Sequence, residues 1–197
     1  GEILVKGKTV CSGYYKKPEI NANSFIDGWF RTGDAGKLVD GKHLYMTDRL
    51  KDLFKTSNGK YIAPQQIETI LGGDVFIEQV AVIGNNRNYV TAIIAPNIEA
   101  IKGYAEQNGI KYEYVDELMD NPQICKMMEE RIANLQKDMA PYEKIKKFRM
   151  IKRGFSIESG ELTSTLKLRR AVILQNYAAM IEEMYNPVQG PLGSYAK

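Results

Sequence analysis

The chain has 197 residues, 27 of them Lys or Arg and 24 Asp or Glu, for a net charge of +3, and it is 44% hydrophobic, 26% charged and 10% aromatic. That is room for one domain or two small ones of ordinary globular composition. The small, interspersed charge argues against a dedicated nucleic-acid binder, and no run of about 18 apolar residues is present to span a bilayer.

Two cysteines, Cys11 and Cys125, are too few and too far apart for a disulfide framework or a zinc site. Reduced thiols and the lack of a signal-peptide pattern point to the cytoplasm. His43 is the only histidine, which rules out a multi-histidine metal site and argues against His-dependent nucleophilic catalysis. No metal site is expected. GEILVKG at the start reads as the middle of a sheet, so the chain is expected to continue a longer one.

Residues 1–11 alternate as strands, and SGYYKKPE (12–19) reads as a loop in which Pro18 stops pairing. Residues 37–48 read as a hairpin around the two-residue turn Asp40-Gly41, where both positions need positive φ. LKDLFK (50–55) and GKYI (59–62) pair around Asn58-Gly59. Pro64 opens a short helix, QQIETIL. EQVAVIG (78–84) and YVTAIIAP (89–96) are apolar strands. Asn97 caps a helix to about Asn108, which Gly109 ends. Asn121-Pro122 starts another, with Ile124, Met128, Ile132, Leu135 and Met139 on one face. KIKKFRMI (144–151) alternates as a strand whose wet face carries its lysines. A polar loop (152–166) precedes a last helix with Ile173, Tyr177, Met180, Ile181 and Met184 on one side. The tail, 187–197, reads as flexible, and its GPLGS resembles a cloning remnant.

Four polar, glycine-punctuated blocks stand between the apolar runs: WFRTGDAG (29–36), DRLKD (48–52), TSNGKYIAPQQIE (56–68) and GELTSTLKLRR (160–170). Asp34 offers two oxygens that suit vicinal hydroxyls, and Gly33 and Gly36 let the backbone turn and approach a ligand. Arg49 presents a fork of donors suited to oxygen-rich ligands. Taken singly, each could be a turn aspartate, a surface ion pair or a solvated lysine.

Together and in this order, the blocks resemble the C-terminal part of the acyl-adenylate-forming enzymes, with the nearest likeness to long-chain fatty-acid–CoA ligases. The resemblance covers nearly the whole chain. It implies an α+β fold: a small C-terminal domain with a three-stranded sheet, flanking helices and a β-hairpin (49–186). A β-rich piece of the large AMP-binding domain (1–48) precedes it, and the flexible tail (187–197) follows. Asp34 and Arg49 then hold the nucleotide, and Lys51 is the hinge, where many relatives carry aspartate. Gly59, Lys60 and Tyr61 belong to the loop that admits CoA for thioester formation. Glu68 is structural, and Lys167 is the catalytic lysine. Many relatives place glycine before that lysine; here Leu166 stands there, as in long-chain ligases.

The implied reaction converts ATP, a fatty acid and CoA to acyl-CoA, AMP and pyrophosphate through acyl-AMP. Mg2+ and most of the ATP site would lie in the absent N-terminal part of the same chain. This piece alone is expected to be inactive. The rivals are an adenylating module that loads a carrier-protein thiol and a noncatalytic interaction domain. The expected location is cytoplasmic, with peripheral membrane association of the parent as the variant.

Overall fold

The computed structural model of the chain describes residues 1–186, the Asp48 side chain excepted, so the expected flexible tail lies outside the described residues. The first elements are β1 (Glu2–Val5), helix α1 (Pro18–Ser24), β2 (Phe25–Ile26), β3 (Trp29–Val39) and β4 (His43–Arg49). β3 is long enough to take β1, β2 and β4 as antiparallel partners.

Three expectations change here. Residues 1–11 hold only the short β1. Pro18 opens α1 rather than ending a loop, because its missing N–H costs nothing in a first helical turn. The block WFRTGDAG forms most of β3. The β3–β4 turn does hold Asp40 and Gly41 at φ 53° and 66°, with Lys42 N–H donating to Val39 O at 3.2 Å. Val39 pairs with His43, however, so Lys42 is a third connecting residue.

The two glycines of β3 differ in purpose. Gly33 has φ +74°, a backbone state that L residues avoid. Gly36 is needed for space, since a Cβ there would meet Ile3 Cδ1 at 2.9 Å and Tyr45 O at 3.0 Å.

From Phe54 on the chain builds the hydrophobic core. It runs through β5 (Phe54–Lys55), β6 (Tyr61–Ile62), α2 (Pro64–Leu71), β7 (Ile77–Ile83), β8 (Val90–Pro96) and α3 (Ile98–Gln107). A 3₁₀ turn (Val115–Asp120), α4 (Pro122–Leu135), β9 (Ile145–Met150), α5 (Arg170–Asn176) and α6 (Ala178–Tyr185) complete it. β8 is central, antiparallel to β7 and parallel to β9.

All seven β8 residues are buried because both faces of the sheet are covered, the usual origin of an unbroken apolar strand. Val80, Val82, Ala92 and Ile94 face α2, α3 and α4. Ala81, Ile83, Ile93 and Ala95 face α5 and α6. Each fully buried isoleucine contributes about 1.5–3 kcal/mol of transfer free energy, so Ile93 and Ile94, both 0% exposed on opposite faces, tie the two layers together. The α+β arrangement is the expected one: a three-stranded sheet, flanking helices and the β5–β6 hairpin.

The caps at Asn97 and Asn121 are real: each side-chain oxygen accepts from backbone N–H groups of the first turn. Two helix extents are corrected. α4 stops at Leu135, leaving Met139 beyond its end, though still packed on the core. The last helix is two helices broken at Tyr177 (φ −111°, ψ 21°), whose ring packs edge-on against Phe155. The break lets Ile173 on one piece and Ile181 and Met184 on the other reach the same sheet face. Among the described residues no helix is long and apolar enough to cross a membrane.

Candidate active site

Asp34 and Arg49 are directly opposite each other on β3 and β4. Arg49 Nε lies 3.4 Å from Asp34 Oδ1, with side chains 69% and 25% exposed. An ion pair this open contributes at most about 1 kcal/mol, so the two groups can be drawn apart by a ligand at small cost. Local bonds fix the Asp34 backbone: Thr32 Oγ1 donates to Ile3 O at 2.8 Å and accepts from Asp34 N at 3.0 Å.

Lys51, exposed, stands two residues after Arg49 in a turn closed by Asp52 N and Leu53 N donating to Arg49 O. The first turn of α2 grips both flanks of that turn. Gln66 Nε2 donates to Thr47 O at 2.7 Å, and Gln65 Nε2 donates to Asp52 Oδ2. Lys51 also borders a groove of about 510 Å³ whose walls include Phe54, Ile83, Arg170 and Leu174.

Lys60 and Lys167 sit on two copies of one turn. In Thr56-Ser57-Asn58-Gly59-Lys60, Gly59 N donates to Thr56 O, Thr56 N donates to Lys60 O, and Lys60 N donates to Thr56 Oγ1. In Thr163-Ser164-Thr165-Leu166-Lys167, Leu166 N, Thr163 N and Lys167 N make the same three bonds. The fourth residue is left-handed in both, at φ 79° for Gly59 and 58° for Leu166. This is the type I turn plus left-handed residue common in three-residue hairpins.

Each turn thus lifts a lysine at its closing end. The Lys60 ammonium lies 5.5 Å from the Tyr142 ring centroid, and Tyr61 is 65% exposed. Lys167 is exposed, and among the described residues no group accepts from its ammonium. The structure therefore brings Asp34 to Arg49, with Lys51 two residues further along the chain, and presents Lys60 and Lys167 on separate hairpins.

Of two residue groups supporting these hairpins, one escaped the sequence reading and the other was read without its partner. Glu161, 0% exposed, receives both arms of Arg153 at 2.8 and 2.9 Å, Ser159 Oγ at 2.6 Å and Asn176 Nδ2 at 3.0 Å. Burial alone would raise its pKa, but those donors hold it down to about 2. Glu161 O also accepts from Arg169 N, so the cluster roots the Lys167 hairpin. Glu68, read as structural, pairs with Arg170.

The run of cations at 144–153 is largely engaged. Lys144 and Lys147 donate to backbone carbonyls, Lys152 pairs with Asp116, and Arg153 pairs with Glu161. Lys146 and Arg149 form the wet face of β9.

An α+β layer with cation-bearing turns, joined by a short turn to a strand pair carrying a carboxylate and a guanidinium, is the form of an adenylate-forming enzyme's C-terminal portion. Residues 51–189 match the family described as AMP-binding enzyme C-terminal domain, and the chain belongs to that family.

It is 33% identical over 187 residues to long-chain-fatty-acid–CoA ligase FadD15 of Mycobacterium tuberculosis, covering 94% of this chain and 31% of that protein. It is 34% identical over 197 residues to long chain acyl-CoA synthetase 4 of Arabidopsis thaliana, covering 98% of this chain and 29% of that protein. Among solved structures, the adenylation domain of a carboxylate reductase from Mycobacterium chelonae is similar, with TM-score 0.75, 29% identity, and 94% and 28% of the two chains covered. The chain thus spans less than a third of the length of these relatives.

Proposed function

We propose that the chain is the C-terminal part of a long-chain fatty-acid–CoA ligase. The supporting observation is the pair of matching turns that present Lys60 and Lys167 on separate hairpins of the α+β layer that follows the Lys51 turn. On this reading residues 1–48 complete a large AMP-binding domain, residues 49–186 form the mobile small domain, and 187–197 form a tail. The enzyme is cytoplasmic.

In the first half-reaction a fatty-acid carboxylate attacks the α-phosphorus of ATP, and pyrophosphate leaves. Negative charge accumulates around phosphorus, and the unpaired Lys167 ammonium stabilises it. Asp34 accepts from the ribose hydroxyls while Arg49 holds nucleotide oxygens. The small domain then turns about Lys51. The CoA thiol enters beside Gly59, Lys60 and Tyr61, gives up its proton to solvent, attacks the acyl carbonyl, and AMP departs with the C–O bonding pair. Mg2+ would accompany ATP and screen its phosphates. On this reading the site for the ion lies mostly in the preceding part of the enzyme.

The similarity to a carboxylate reductase's adenylation domain favours a second reading, in which the acceptor is a carrier-protein thiol. One assay separates them. Acid-dependent ATP–pyrophosphate exchange by the full-length enzyme is expected to rise with fatty-acid chain length, and CoA is expected to out-compete a carrier protein for the acyl group. No exchange with any fatty acid would refute the substrate class, and preference for the carrier would establish the second reading.

A further inference from the structure

The two turns share one backbone geometry, but they are not equally supported. The Lys60 turn is tied to the β7–β8 connection. Ser57 Oγ donates to Asn88 Oδ1 at 2.8 Å, Asn58 Nδ2 donates to Asn88 O at 3.2 Å, and Ser57 N donates to Arg87 O at 2.9 Å. That connection is in turn fastened to α6. Arg87 makes a two-armed pair with Glu182 and lies 4.7 Å from the Tyr185 ring centroid. Tyr89 Oη donates to Met184 O at 2.8 Å.

Among the described residues the Lys167 turn itself has no equivalent brace, although the Glu161 cluster roots the base of its hairpin. Its hydroxyl contact beyond the backbone pattern is Thr163 with Thr165, inside the turn itself. The same turn thus forms without a brace at 163–167, so the brace at 57–58 is not needed to make the turn. Its effect is to fix where the turn stands relative to the sheet.

We propose that Asn88 is a positioning residue for the thioester half-reaction, acting through Ser57 to hold the Gly59–Tyr61 loop in register with the incoming thiol. The proposal rests on the reading of that loop given above. Asn88 bonds to Ser57 and Asn58, and among the described residues no hydrogen bond joins it to Lys167 or Asp34, so adenylation should not depend on it.

The test uses the full-length enzyme and measures the half-reactions separately: ATP–pyrophosphate exchange, and CoA-dependent conversion of supplied acyl-AMP. Misplacement of a reacting group by about 1 Å can cost up to about a hundredfold, so Asn88→Ala is expected to slow thioester formation about tenfold while exchange stays within about twofold. Ser57→Ala should match it, and the double variant should be no worse than either single one, because both remove the same bond. Asn88→Asp keeps an oxygen acceptor for Ser57 and should recover most of the rate.

Unchanged thioester formation in Asn88→Ala, equal loss in both half-reactions, additive single losses, or failure of Asn88→Asp to recover would each overturn the proposal. If the unsubstituted enzyme passes exchange but forms no thioester with CoA, the reading of the loop fails first and the proposal falls with it.

Discussion

Arg170 grips Glu68 with both terminal nitrogens, Nη1 to Oε1 at 2.7 Å and Nη2 to Oε2 at 3.1 Å. The same two side chains bracket one residue of β7: Val82 N donates to Glu68 at 2.8 Å, and Arg170 donates to Val82 O at 2.6 Å. The pair therefore joins the helix that follows Gly59 to the helix that follows Lys167, and pins both to the sheet edge.

Because Glu68 is only 12% exposed, removing Arg170 takes a two-armed cation from a poorly hydrated carboxylate. Arg170→Ala is expected to cost about 2–4 kcal/mol in urea unfolding, with an unchanged denaturant slope. Arg170→Lys should recover only part, since an ammonium cannot replace a two-armed fork. A loss below about 1 kcal/mol would mean that the pair behaves as an ordinary surface bridge.

Glu161 makes stability depend on acid. Its folded pKa of about 2 lies below the ordinary 4.5 because Arg153, Ser159 and Asn176 outweigh its burial. A depressed carboxylate contributes its full stabilisation above the unfolded value and loses it as pH falls toward the folded one. The contribution, roughly 3 kcal/mol at neutral pH, should fade between about pH 4.5 and pH 2. Glu161→Gln should be less stable at pH 7 and lose that part of the acid dependence. Parallel stability–pH curves for the two proteins would contradict this.

The core was legible because its signals are local and repetitive. β8 is an unbroken apolar run, and Asn97 and Asn121 are capping residues that do cap. Asp34 and Arg49 stood out through motif order, and they prove to be cross-strand neighbours.

What could not be read depends on contacts distant in sequence. Tyr177 breaks a helix whose periodicity runs on through it, because Phe155 meets its ring. Glu161 lies in a polar stretch with no period to betray its burial, and its partners come from Arg153, Ser159 and Asn176. Asn88 looks like any turn asparagine until Ser57, 31 positions earlier, is brought against it. Composition concealed the kinship of TSNGK and TSTLK as well, since leucine is a poor guide to a left-handed residue.

That last point gives a stability prediction. Leu166 holds φ +58° with its side chain 69% exposed, so the strained backbone is not offset by burial. A left-handed conformation costs an L residue about 1–2 kcal/mol, part of which glycine returns as unfolded-state entropy. Leu166→Gly is expected to stabilise the fold by about 0.5–1 kcal/mol, seen as a higher melting temperature, and Leu166→Val to destabilise it. A drop in melting temperature for the glycine variant would show that the leucine makes a contact worth more than the strain.

Lys167 is the sharpest chemical test, because its hairpin is rooted independently of its side chain. The turn bonds use backbone atoms and Thr163 Oγ1, and the Glu161 cluster lies beneath. Lys167→Ala should therefore leave the fold intact. Removing a group that stabilises developing charge typically costs about 10²–10³ in rate. In the full-length enzyme, acid-dependent ATP–pyrophosphate exchange should fall by about that factor, while conversion of supplied acyl-AMP with CoA stays within a few-fold. Equal losses in both half-reactions would remove Lys167 from a role confined to adenylation. Unchanged exchange would remove it from the chemistry altogether and leave an exposed lysine on a well-made turn.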